Sequence, residues 1–539
     1  MSRSGFNYRW IVPCRTMFVA VLVALVVAVA GGLGGCGSGS PASSGSASSS
    51  ATGAPVAGGT LTVGIQPTTT FDPYFTSTTG DILVDHQLYN WLVNLDAQNQ
   101  PVPELATAWK MSADGKTWTF TIREGVKFTN GTPLTAADVV YSFNRMRDPK
   151  LGAATASVYA GIGSITAPDA THVVFTLKTP NPEFVKDCAD YHAGILSKSV
   201  KDPSKEWIGT GPFMIKQYTA EDRVILVRNP NYWGKDESGT QLPYLDGITF
   251  LLQKDTASMV SGLSGGQIDF VPDLTVELAQ QVKADTNLKV LTSPSNFHFL
   301  VHLRCDKGHP AADPRVRLAL RMGTDYQGLI DLVRPGYAEL GNGTIVGPVY
   351  GSYYWNNTPK YDPEGAKKLL AEAGYAQGYT INLYVMQYID ANALATVWKE
   401  QMKKIGVTVN INSIPEAIYY ADSGNASWLK CDFGVTNWAQ RSTPAAYFNV
   451  AYITGSAWNE SHWSDPEFDG VVKAINSELD ATKRADLYHK AQQILWERGP
   501  VVTLIHENAV AGAISKLNGV TLPGDMNSTR FETAYLAAK

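Results

Sequence analysis

The chain has 539 residues, 44 of them Lys or Arg and 49 Asp or Glu, for a formal charge of −5. With 44% hydrophobic and 17% charged residues this is a globular composition, which excludes disorder over most of the chain. The missing basic footprint excludes nucleic acid as the partner, and the length exceeds one ordinary core, so two or three domains are expected.

The chain starts with Arg3, Arg9 and Arg15, with no acidic residue before the apolar run Met17 to Ala30. Fourteen apolar residues are too few for a permanent membrane span and fit a signal-peptide core. Leu33-Gly34-Gly35-Cys36 resembles the bacterial lipobox, in which the cysteine thiol is alkylated by diacylglycerol and the chain is cut just before it. Two acyl chains are needed because one anchors only marginally, at ~0.8 kcal/mol per buried methylene. Residues 1–35 are therefore expected to be a signal peptide and Cys36 the lipidated N-terminus. Gly37 to Gly59 carries no charge and no large apolar group, so 36–59 reads as anchor and flexible tether. Its 23 residues span roughly 25 Å on average.

Thr60 to Ile65 reads as a strand, closed by Pro67 and the threonines that follow. Asp114-Gly115 marks a hairpin, and Trp118, Phe120 and Ile122 alternate with threonines as a half-buried strand. Thr135-Ala136-Ala137-Asp138 is a capping-box start for a helix with Val139, Phe143 and Met146 on its apolar face. Thr256 to Leu263 reads as a helix stopped by glycines, and Gln267 to Val271 as a strand. Asp362, Pro363 and Gly374 bound a helix with Ala366, Leu369, Leu370 and Ala373 on one stripe. Strand Thr380–Val385, helix Ala393–Ile405 and strand Val407–Ile411 make a parallel α/β unit. A helix over Ala481–Arg498 then leads to the apolar run Val501 to Ile505.

Catalytic motifs do not survive their context. Gly262-Leu263-Ser264-Gly265-Gly266 matches G-x-S-x-G, but that motif must follow a strand and open a helix, and here the order is reversed. His298 and His302 lie on one face of a strand about 13 Å apart, too far to share a metal. No CxxC, HExxH or P-loop occurs, so no cofactor is expected. Beyond Cys14 and Cys36, only Cys188, Cys305 and Cys431 remain. Cys305 ends one strand-like run and Cys431 begins another, which allows a bridge if those strands are neighbours.

Many ordered blocks then match one family. They are Glu104 to Trp109 with Ser112 and Asp114-Gly115, TWTFTIREGVKF, Asn130-Gly131 and Pro133 to Phe143. Next come Gly209 to Phe213, Arg228 to Trp233, Gly266 to Asp269 and Asp313 to Arg317, followed by YDPEGAKKLLAEAGY, WKEQMKKIGV and LYHKAQQILWE. Over roughly residues 60–530 the chain resembles the extracytoplasmic solute-binding proteins of peptide-type ABC transporters, the oligopeptide-, dipeptide- and nickel-binding family, solute-binding protein family 5. The resemblance implies an α/β, two-lobed periplasmic-binding-protein-like fold, type II, of the large class with an extra inserted domain and a ligand cleft between lobes. It implies lobe 1 over 60–296 with an inserted hairpin-rich subdomain at about 88–205, lobe 2 over 297–505, and a return to lobe 1 over 506–539. It further implies a monomer that captures a peptide or other solute by hinge closure and delivers it to permease subunits, while lipid-anchored at the extracytoplasmic face of the cell membrane.

The same resemblance places ligand contacts in two loops. The first, Phe71 to Thr79, contributes Ser77, Thr78 and Thr79. The second runs from Trp438 to Pro444. Peptide binders of this kind carry an Asp three residues after that Trp, to pair with the peptide ammonium. Here Arg441 stands in its place, and a guanidinium suits a carboxylate or phosphate instead. Asp390 is then the candidate compensating negative group, and Tyr388, Tyr384 and Trp438 either line an aromatic pocket or belong to the core. Two other readings share these data: a solute-sensing receptor on the same fold, and a secreted hydrolase, for which no nucleophile–base pair is supported.

Overall fold

The computed structural model describes residues 55–537, apart from residues 77, 97–98 and 421–426. The leader, Cys36, most of the tether and Ser77 lie outside the described residues.

The period-two runs form strands. After β1 (Thr60–Ile65) and α1 (Thr79–Leu88), the Asp114-Gly115 hairpin joins β2 (Ala106–Met111) to β3 (Thr117–Ile122). Gly115 takes φ +69° at the turn, which only glycine adopts without strain. The Thr135 capping box starts α2 (Ala136–Met146), which covers a four-stranded sheet of order β2–β3–β5–β4 with β4 (Ile162–Thr166) and β5 (His172–Leu177).

A larger sheet runs through the rest. In chain order its strands are β6 (Phe213–Thr219), β7 (Arg223–Arg228) and β8 (Gly247–Leu252), then β9 (Phe270–Val271) after helix α3 (Thr256–Ser264), and β10 (Leu288–Leu303). Next come α4 (Pro363–Leu370), β11 (Tyr379–Met386), α5 (Ala391–Lys404), β12 (Val407–Ile414), β13 (Phe433–Trp438), α6 (Ala481–Arg498) and β14 (Val501–Ile514). The order across the sheet is β12–β11–β13–β10–β14–β9–β1–β8–β7–β6. β11 and β12 are parallel neighbours joined by α5, as the strand–helix–strand pattern predicts. The α4 stripe is also as expected, but its last turn opens into a π-turn over Ala371–Tyr375, where Gly374 reaches φ +94°. G-x-S-x-G ends α3: Ser264 is its last residue and Gly265 its C-cap, so no serine elbow forms.

Two long strands connect the cores. One core draws on Leu61 to Leu288 and Ala509 to Ala534, and two further clusters draw on Phe299 to Ile505. The chain passes between them only within β10, outward, and β14, back. These strands pair antiparallel along both halves, Leu288–Ser293 with Ala509–Ile514 and Phe297–His302 with Val501–Glu507. The second half of β10 and nearly all of β14 are buried on both faces, polar residues such as His298, His302, His506 and Glu507 included. Between the halves the register slips, and Pro294, Ser295 and Asn296 bulge out of the ladder.

Buried charges gather at this crossing. Arg334 Nη1 is 2.9 Å from Asp390 Oδ2 and 2.9 Å from Glu507 Oε1 of β14. Asp273, beyond β9, faces the same group. Two carboxylates pair with this guanidinium and a third, half-buried, faces it. Burial therefore pushes the Glu507 carboxyl up to about 7 and that of Asp273 to about 6, and Arg334 only partly offsets it.

The proposed disulfide is corrected: Cys188, Cys305 and Cys431 are all free. The strands are neighbours, the condition for a bridge, with Leu303 opposite Phe433 as the last pair of the ladder. Beyond it the Arg304 amide still donates to Asp432 O, and the two cysteines then turn to different partners. The Cys305 amide donates to Ser461 O and its thiol to Leu303 O, while the Cys431 amide donates to Ser427 O and its thiol lies 3.4 Å from His302 Nε2.

Three outcomes are expected. Phe299→Ala, in a fully buried site on β10, costs about 3–5 kcal/mol, read as a lowered urea midpoint. Glu507 has a folded-state pKa above its unfolded one, so between about 4.5 and 7 the native state holds a proton that the unfolded chain has lost. Its contribution to stability therefore falls as pH rises through that window, and Glu507→Gln flattens that part of the melting temperature against pH. Denatured, unreduced protein lacking residues 1–36 titrates three thiols with a thiol reagent, and two missing thiols would restore the bridge.

Candidate ligand-binding site

Between the first core and the second lies a cavity of about 500 Å³. Gln66, Thr78, Thr79 and Asn527 line it from the first side. Phe297 enters from β10 just after the bulge, and Tyr388, Glu416, Tyr420, Trp428, Asn437, Trp438, Arg441 and Trp458 line it from the second. Thr78 is the N-cap of α1, its hydroxyl accepting from the Asp81 amide at 3.2 Å. The N-terminal end of a ten-residue helix thus opens on the cavity.

The loop after β13 is held from below. The bulge leaves the Asn296 amide without a ladder partner, and it donates to Gln440 Oε1 at 2.8 Å. Asn296 is fully buried, and its side chain accepts from the Gly347 amide and donates to Ile345 O and the Tyr447 hydroxyl. That hydroxyl accepts from the Arg441 amide and donates to Ala439 O, and Tyr350 donates to Arg441 O at 2.7 Å. So the backbone carrying Arg441 is fixed to the crossing itself. The guanidinium stands between the main cavity and a smaller one of about 80 Å³ that is lined by Asp190, Tyr191 and Asp525. Burial works against its charge, but Tyr191 and Asp190 outweigh that and keep it charged.

The walls are polar and aromatic together. Glu460, nearly fully buried, accepts from Thr436 Oγ1 at 2.7 Å and lies 3.4 Å from Trp438 Nε1, fixing both side chains. Trp438 packs on Trp458 at 5.9 Å between ring centroids. Asn437 Nδ2 and Asn527 Oδ1 are buried with no hydrogen-bond partner among the described residues, one donor and one acceptor on opposite walls. Burial raises the Glu416 carboxyl above its usual range.

Of the residues read from sequence, Thr78, Thr79, Tyr388, Trp438 and Arg441 come together on this cavity. Asp390 does not. Its carboxylate is bound to Arg334 at the crossing, because burial there demands a cationic partner, and it is not among the lining residues. Tyr384 also stays out and packs on the second core. Glu416, Tyr420, Trp428, Trp458, Phe297 and the two asparagines were not found from sequence. No spacing links them, since they meet only through the packing of separate loops. His298 and His302 are fully buried. Among the described residues no group of three or more His, Cys, Asp or Glu is placed to hold a metal ion. No helix of the described residues is long and apolar enough to cross a membrane.

Comparison with known proteins agrees with this geometry. The profile of "Bacterial extracellular solute-binding proteins, family 5 Middle" matches residues 100–460. The glutathione-binding protein GsiB of Salmonella typhimurium is 27% identical over 485 residues, covering 85% of this chain and 90% of that protein. GsiB of Escherichia coli K12 is 26% identical over 496 residues, covering 87% and 92%. Among solved structures, the periplasmic binding protein DppA from Helicobacter pylori, in complex with the peptide STSA, superposes with a TM-score of 0.75 at 24% identity, covering 89% of this chain and 98% of that one. The transporter substrate-binding protein CtaP from Listeria monocytogenes gives 0.77 at 22%, covering 89% and 99%. These likenesses establish the two-lobed α/β fold of periplasmic binding proteins. The chain belongs to family 5 of the bacterial extracellular solute-binding proteins, and its work is to bind a solute, not to transform one.

Proposed function

We propose that this protein is the lipid-anchored binding component of an ABC importer, taking up a carboxylate-bearing, peptide-like solute in the cavity and handing it to a permease. The carrying observation is the cavity itself, about 500 Å³ between the two cores, with the Arg441 guanidinium and the unpartnered Asn437 and Asn527 groups on its walls. Buried polar atoms are nearly always satisfied, so such a pair reads as ligand contacts. Arg441 and the N-terminal end of α1 both favour negative charge. The names of the GsiB relatives give a concrete candidate, glutathione, a tripeptide rich in carboxylate.

Ser77, Thr78, Thr79, Tyr388, Trp438 and Arg441 are the proposed contacts. Lobes of 60–296 and 297–505, with 506–539 returning to the first, would then open and close about the β10–β14 crossing. Solute touching both walls only in the closed form shifts the population toward it. Cys36 would carry the diacylglycerol and 37–59 the slack that lets the domain reach a permease. A purely solute-sensing role would use the same site.

The test is to denature purified protein and identify the released small molecule by mass spectrometry. A peptide or other carboxylate is expected. Arg441→Gln should weaken its binding by about 1.5–3 kcal/mol, the range for hydrogen bonds to charged groups, measured by calorimetry. Release of a solute without an anionic group, or unchanged affinity in the variant, would sink the reading.

A further inference from the structure

Arg441 explains one end of the cavity. The rest of its second-lobe wall carries a different chemistry. Tyr388, Tyr420, Trp428 and Trp458 line it beside Glu416. Tyr420 and Trp428 meet edge to face at 5.5 Å between centroids, and Trp428 meets Trp458 at 6.2 Å. Glu416 is the one carboxylate lining the cavity among the described residues, and none of these residues hydrogen-bonds or pairs with its side chain. Its charge reaches the hydroxyls of both Tyr388 and Tyr420, so it stands within the same group of rings.

A ring face is electronegative and attracts a cation, and a nearby unpaired carboxylate adds a charge-assisted partner. We infer that the Glu416 end of the cavity is an organic-cation subsite, so that the solute is a zwitterion whose ammonium lies among these rings while its carboxylate meets Arg441. The inference rests on the reading of this cavity as the solute site. It assigns the ammonium to Glu416 and the rings, on a different element from the loop that carries Arg441. The rings tolerate substituted ammonium groups, since cation–π attraction needs no fixed hydrogen-bond direction.

The experiment uses n-butylammonium and tetramethylammonium as probes, titrated into purified protein and followed by tryptophan fluorescence, with Glu416→Gln and Trp428→Leu beside the unaltered chain. Saturable binding of n-butylammonium is expected, weakened about tenfold by Glu416→Gln, and lost in part by Trp428→Leu. Circular dichroism and melting temperature check that each variant is folded. Absence of saturable binding for both cations, or equal binding to folded Glu416→Gln, overturns the subsite. In that case a carboxylate still bound through Arg441 leaves the proposed function standing. Cation binding with no Arg441-dependent solute would support the subsite and overturn the carboxylate reading.

Discussion

The structure depends on one pair of crossing strands. β10 and β14 are the only places where the chain passes between the apolar core built on Leu61 to Leu288 and those built on Phe299 to Ile505. β10 is flanked by β13 along His298–Leu303, and β14 by β9 at Gly512 and Ala513. The register slips most at Pro294 to Asn296, with a second, smaller shift between Phe299 and Leu300. A bulge bends and locally unpairs a strand. Here it also frees the Asn296 amide from the ladder, and the binding loop takes it up through Gln440.

The cavity follows from that arrangement. Two cores joined along one antiparallel pair leave a gap between their facing loops, and the loops after β1 and β13 both open into it. Asn296, Tyr447 and Tyr350 then fix the backbone of the Arg441 loop without using its side chain, which lines both cavities. Glu460 does the same for Trp438 and Thr436 from behind the wall. Pre-organised contacts of this kind reduce the ordering cost of binding.

Charge is used differently at the crossing and in the cavity. At the crossing, Arg334 is committed to Asp390 and Glu507, and desolvation makes any unpaired partner there costly. In the cavity, Arg441 is faced by Tyr191 and Asp190 but makes no ion pair as short as those at Arg334, and it stays among the lining residues together with Glu416. This difference separates a structural ion cluster from a recognition site more clearly than residue type does, since both contain arginine and carboxylate.

Much of this was legible in the sequence. The alternation in TWTFTI, the capping residues at Thr135 and Asp362, and the glycines ending α3 each act through local backbone chemistry, so they fixed their elements without reference to the fold. The ordered family blocks carried the two-lobed α/β fold, and the position after Trp438 marked Arg441 as a departure with chemical meaning. What the tertiary structure decided was everything that depends on which face or which loop meets another. Asp390 was drawn to Arg334 because a buried guanidinium outcompetes a solvated cleft for a carboxylate. Cys305 and Cys431 ended on neighbouring strands yet stayed free, because their thiols turn to different partners, Leu303 O and His302 Nε2. Glu416, Trp428 and Trp458 belong to one wall only because separate loops pack together, a long-range contact that no local period records.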